Sequence, residues 1–88
     1  MKQKYIVAKD IDGEEQLFKF PLKVNHDNMW KCIQYLRKDP DTRHWHRMFC
    51  DVKPVSAGFI SETGICSGRS ESLNIDSRPK EDTALATR

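Results

Sequence analysis

The chain has no long apolar run, few cysteines and no marked excess of either charge, and each scarcity removes a class of protein. Its longest apolar stretches, such as Tyr5-Ile-Val-Ala8, are three or four residues long, too short to cross a bilayer. The amino terminus, Met1-Lys-Gln-Lys-Tyr5, carries neither the apolar stretch nor the cleavage site of a secretory signal, so a cytosolic protein is expected. Its three cysteines, Cys32, Cys50 and Cys66, are odd in number, widely spaced and without a Cys-x-x-Cys. A disulfide framework wants an even set, so free, partly buried thiols are expected. The formal net charge of +2 argues for neither a polyanion surface nor a membrane. Basic residues lead eight to five over positions 1–38, balance three to three over 39–54, and trail four to five over 55–88.

What is present suits one small domain. Eighty-eight residues bury only about 60–65% of the surface that the unfolded chain exposes. The hydrophobic fraction of 38% is low, but its members are clustered, and neither a repeat nor a low-complexity tract interrupts them. Residues 4–9 are β-rich, Asp12-Gly13 marks a turn, and 15–20 form a second strand closed by Pro21. This is an N-terminal hairpin, with Phe18 and Phe20 on its core face because side chains alternate.

A helix is predicted over 26–38. Asn25 suits its N-cap, Val24 and Met29 are placed for a hydrophobic staple, and Asp27 complements the dipole. Met29, Cys32, Ile33 and Leu36 form an apolar stripe bordered by Trp30, and Pro40 stops the helix. The stretch from Asp39 to Pro54 reads as a loop turning into a strand near Trp45. Strands follow at 55–60 and 65–75, around a turn at Glu62-Thr-Gly64, and Gly58 and Gly68 suggest close backbone approach. Residues 1–76 thus form one α+β domain, a mostly antiparallel sheet of two hairpins with one main helix on one face. Residues 77–88 form a short helix or a partly ordered tail, starting with Pro79 and two acids in its first turn.

Four groups of residues are candidates for chemistry. His44-Trp45-His46 puts two imidazoles on one strand face, but the further ligands, Cys50, Asp41 and His26, lie at no standard metal spacing, so neither metal nor cofactor is expected. In the same segment Arg43, Trp45 and Arg47 share the opposite face, where an aromatic between two guanidiniums suits a single-stranded base and its phosphates. The competing reading is a tryptophan that seals the core. Ser67, Ser70, Ser72 and Ser77 lack a Gly-x-Ser-x-Gly context, and Cys32 sits mid-helix, so no catalytic residue is assigned. Arg69 pairs with Glu71 if the strand runs straight, and Arg78, held extended before Pro79, is placed to pin the tail with Asp76 or a nearby carboxylate. Arg69, Ser70 and Arg78 make the most polar face available to a partner.

Lys4-Tyr-Ile-Val-Ala-Lys-Asp10, Ser56-Ala-Gly-Phe-Ile60, Gly68-Arg-Ser-Glu-Ser-Leu73 and Ser77-Arg-Pro-Lys-Glu-Asp-Thr-Ala-Leu85 together resemble a group of small uncharacterised proteins of bacteria and their phages or prophages. The resemblance spans both ends of the chain and leaves 39–54 variable. It implies a bacterial or phage cytosolic setting and assigns no activity, cofactor or site residue. The expected function is a non-enzymatic interaction module that binds a protein through a sheet edge or the Arg69–Arg78 face, with a homodimer as one form and no membrane contact. Single-stranded nucleic-acid binding through Arg43, Trp45 and Arg47 is the second expectation, and a small hydrolase a distant third.

Overall fold

The run Tyr5-Ile-Val-Ala8 is buried at every residue. Side chains on a strand point alternately to opposite faces, so both faces of this sheet must be covered. The computed structural model describes residues 2–10, 13–33, 37–38, 45–46 and 53–87, with the backbone alone at 37–38 and 45–46. The buried run is the centre of β1 (Gln3–Lys9). It is followed by β2 (Glu15–Phe20), α1 (His26–Ile33), β3 (Arg37–Lys38), β4 (Trp45–His46), β5 (Ser56–Ile60), β6 (Cys66–Ser67), β7 (Arg69–Ser70), β8 (Ile75–Asp76) and α2 (Pro79–Ala86). Four strands form an antiparallel sheet in the order β2-β1-β5-β6, and β3–β4 and β7–β8 form separate pairs. The protein is an α+β domain.

Alternation along the strands sorts the core into two halves. Ile6, Ala8, Phe20 and Ala57 face α1, which contributes Trp30 and Ile33, with Phe18, Leu73 and Ile75 packed against them. Tyr5, Val7, Ile60 and Cys66 face α2, and Leu17, Val55, Leu85 and Ala86 close that side. Each fully buried aliphatic contributes about 1.5–3 kcal/mol, so neither half is dispensable in a domain this small.

The first hairpin and the Phe18–Phe20 face are as the sequence predicts. The helix is not. α1 is described over His26–Ile33, and Arg37-Lys38, expected in its last turn, instead pair with Trp45-His46 as β3 and β4. Its inner face is also turned, since His26, Trp30 and Ile33 are buried while Cys32 is exposed. The indole has the largest apolar surface on the helix, and its burial sets the rotation. Val24 and Met29 lie half-buried against the same core.

The predicted strand over 65–75 is broken into three pieces. Gly68 has φ +80° and Asn74 φ +55°, conformations that end a strand. The Ser70 hydroxyl accepts the Leu73 N–H at 3.2 Å, and the Asn74 N–H reaches the Glu71 carbonyl at 3.2 Å, so β7 and β8 become a tight hairpin. The expected close approach is real at Gly58, where an added Cβ would stand 2.4 Å from the Ser67 carbonyl oxygen. The C-terminal segment is no appendage. α2 covers the second face of the sheet, with Leu85 docked against the Tyr5, Val7 and Ile60 cluster.

Candidate interaction site

α2 is fastened by a buried carboxylate. Asp82 is fully buried, and its two oxygens accept from the Tyr5 hydroxyl at 2.5 Å, the Ser56 hydroxyl at 2.8 Å and the Arg78 backbone N–H at 2.8 Å. Arg78 adds its Nε at 3.1 Å and Nη2 at 2.9 Å. Its other guanidinium edge is bidentate on Glu15, at 2.8 and 3.2 Å. Arg78 precedes Pro79, the first helical residue, so Asp82 reaches back to cap its own helix while meeting the sheet. The bond from Arg78 holds the Glu15 carboxyl below the usual range, and the bond to Glu15 holds the Arg78 guanidinium above its own. Burial and the Asp82 bond push the Tyr5 phenol up, and burial raises the Cys66 thiol. Among the described residues no buried side-chain nitrogen or oxygen lacks a partner. This cluster holds the fold, closed to solvent at its carboxylate.

The candidate residues are scattered by this arrangement. Arg78 is the tail pin expected of it, but its partners are Glu15 and Asp82 rather than Asp76. Ser70 is fully buried and holds the β7–β8 turn. Arg69 pairs with Asn74 at 2.5 Å and Asp76 at 3.6 Å, not with Glu71, because β7 ends at Ser70 and the turn carries Glu71 away. The Arg69–Arg78 face therefore does not exist as one surface of free guanidiniums. Trp45 lies in β4, of which the backbone alone is described, while Arg43 and Arg47, like His44, Cys50 and Asp41, lie outside the described residues.

Two surfaces remain. One is a polar cleft of about 650 Å³ between the start of α1 and the β7–β8 hairpin, lined among others by Lys4, His26, Phe59, Arg69, Glu71 and Ser72. Lys4, His26, Arg69 and Ser72 are already engaged with the protein. Lys4 Nζ donates to the Val24 carbonyl at 2.9 Å, and the Ser72 hydroxyl accepts the Asp27 N–H at 3.3 Å. The His26 Nε2–H donates to the Gly58 carbonyl at 3.0 Å, with the ring set edge-on against Phe20 and Phe59. Ser72 and His26 thus share a cleft while serving different partners. No group of three His, Cys, Asp or Glu side chains suited to a metal gathers among the described residues.

The other surface is the outer edge of β2. Asp10 N–H donates to the Glu14 carbonyl at 2.9 Å, which sets the phase of the β1–β2 ladder. Gln16, Phe18 and Phe20 exchange bonds with β1, and Glu15, Leu17 and Lys19 turn their backbone groups outward. No described strand pairs with that edge, and the outward groups of Leu17 and Lys19 meet no described residue. The far edge of the sheet is different. The Cys66 N–H of β6, which points away from β5, is taken by the Thr83 hydroxyl of α2 at 2.9 Å.

No family model, curated protein or solved structure matches the chain. Nothing in the local sequence couples Tyr5, in the first strand, or Ser56 to Asp82, in the last helix. That the edge of β2 has no strand partner among the described residues is legible only as a general property of a hairpin at the start of a sheet. Among the described residues no helix is long and apolar enough to cross a membrane.

Proposed function

We propose that this protein is a non-enzymatic interaction module that takes an extended protein segment onto the open edge of β2. The observation that carries the reading is the contrast between the two edges. Thr83 blocks β6, while Leu17 and Lys19 offer N–H and C=O groups that have no partner among the described residues, on a strand of six residues. Strand addition uses such groups for affinity and the alternating side chains for selectivity. Titratable groups with strong internal partners, Asp82 and Arg78 above all, are engaged in holding α2, which supports a binding rather than a chemical role.

A photo-crosslinking side chain at Gln16 tests this in cells, with one at the exposed Lys80 as control. Gln16 should give a discrete cross-linked protein whose yield falls in Lys19→Pro, which removes one outward N–H at an edge position that tolerates proline. Equal labelling from Gln16 and Lys80, or labelling indifferent to Lys19→Pro, removes the reading.

A second reading, binding of single-stranded nucleic acid, is favoured by the β3–β4 register, which sets Arg37 opposite His46 and Lys38 opposite Trp45. Two basic positions in register with an aromatic one form a pattern that suits a base and its phosphates. Titration with single-stranded DNA and RNA at two salt concentrations checks it. Binding should weaken steeply with salt and vanish in Trp45→Ala, and a flat titration at low salt eliminates it.

A further inference from the structure

We infer that the segment added to β2 is β2 of a second copy, paired antiparallel about a two-fold axis through Leu17. The inference rests on the strand-addition reading and names its partner. The outward residues Glu15, Leu17 and Lys19 are spaced evenly about Leu17, so a two-fold there sets Leu17 opposite Leu17 and Glu15 opposite Lys19 of the second copy. All outward residues of one strand then meet all those of the other in hydrogen-bonded pairs. Three other registers do worse. Centring on Glu15 or Lys19 sets like charges opposite each other, which destabilises a pair. Centring on Phe18 brings Pro21, which has no N–H, opposite Glu15.

Side-chain chemistry agrees with the backbone. Odd-numbered residues of β2 project to the α2 side, as Leu17 does. There a hollow of about 250 Å³ is lined by Glu15, Glu81, Ala84 and Leu85. In the Leu17-centred register the ammonium of the second copy's Lys19 arrives opposite Glu15, at a hollow that also presents Glu81. One arginine already pairs with Glu15, and the carboxyl is held ionised, so a second cation completes an acidic recess instead of meeting a neutral wall. The two-fold makes this contact twice. The sheet becomes eight strands, continuous through the pair, with the Thr83-capped β6 at both ends.

Sedimentation across a wide concentration range, combined with hydrogen exchange of assigned amides, tests the pairing. The full chain should pass from monomer to dimer, with the Leu17 and Lys19 N–H groups gaining protection in parallel. Lys19→Glu, at an exposed position, should weaken association by roughly tenfold or more, because both symmetry-related pairs turn repulsive. With Cys32 and Cys50 replaced by serine, Leu17→Cys should oxidise to a disulfide dimer, since hydrogen-bonded partners stand about 5.5 Å apart at Cα. Lys19→Cys, paired with Glu15 and not with itself, should not. A dimer insensitive to Lys19→Glu, or one that leaves the Leu17 and Lys19 amides unprotected, overturns the inference by placing the contact elsewhere. A strict monomer whose β2 amides exchange freely also overturns it, while the edge stays open to a different protein and the Gln16 cross-link decides that. A strict monomer with those amides protected removes the strand-addition reading as well.

Discussion

The Tyr5 hydroxyl meets the Asp82 carboxylate at 2.5 Å across 77 positions of sequence, joining the first strand to the last helix. Both residues are fully buried. A charge taken out of water is tolerated only when its oxygens are fully partnered, and here Ser56 and Arg78 complete the set. The bond is charge-assisted and falls within the range of the stronger hydrogen bonds.

Tyr5→Phe should therefore lower stability by about 1.5–3 kcal/mol, the worth of a hydrogen bond to a charged group. Asp82→Ala strands the Tyr5 and Ser56 hydroxyls and the Arg78 N–H together and should cost about 3–5 kcal/mol. Urea unfolding reads both. An Asp82→Ala protein as stable as the parent would mean that α2 does not need this carboxylate.

The guanidinium of Arg78 bridges Glu15 on β2 and Asp82 in the core. Arg78→Ala leaves the buried carboxylate without its counter-charge and should cost about 3 kcal/mol. The amides of α2 should then exchange faster than those of β1 and β5, because the helix loses its link to β2 while the sheet keeps its ladder. An unchanged urea midpoint with α2 still protected argues against the bridge.

Much of this architecture can be read in the sequence, and the part that cannot has a physical cause. The Asp12-Gly13 turn and the alternating Phe18 and Phe20 specify the first hairpin locally. Pro79 and the acids after it mark the start of α2 in the same way. By contrast, the stripe through Met29, Cys32 and Ile33 misplaces the face of α1, since periodicity does not say that burying Trp30 matters more than burying Cys32. Residues 65–75 look like one strand because the turn at 71–74 has its glycine before it, at Gly68, and a left-handed asparagine at Asn74. Arg69 and Arg78 look alike as free cations in a polar stretch. Only the fold sets Arg78 against Glu15, 63 positions away, and leaves Arg69 on the small hairpin.

Gly58 is a sharp test of how tightly β5 packs. A Cβ there would meet the Ser67 carbonyl oxygen at 2.4 Å and the Ser77 Cβ at 3.2 Å. The nearer neighbour is backbone, which cannot rotate aside, so β6 would have to shift as a unit. Gly58→Ala should destabilise by about 1–3 kcal/mol. It should also perturb His26, whose ring donates to the Gly58 carbonyl. Calorimetry checks the first effect and the imidazole resonances the second. An unshifted melting temperature would show that β6 yields freely.

Stability should fall in two stages as the solution is acidified, and His26 sets the first. Burial holds its imidazole below the ordinary 6.5, assisted by the nearby Lys4 charge, while the Gly58 carbonyl and Asp27 pull the other way. A group whose folded pKa lies below its unfolded one binds more protons when unfolded. Its contribution is therefore intact above about 6.5 and is lost as pH falls from there to the folded value. Glu15 behaves the same way in a lower window, losing its contribution only as pH falls from the ordinary 4.5 toward its own depressed value. Urea midpoints measured from pH 8 to pH 3 should thus decline first below about 6.5 and again below about 4.5. His26→Gln, which keeps a donor for Gly58 but cannot titrate, should flatten the upper stage and leave the lower one. If the upper stage persists undiminished in that variant, some group other than His26 governs it.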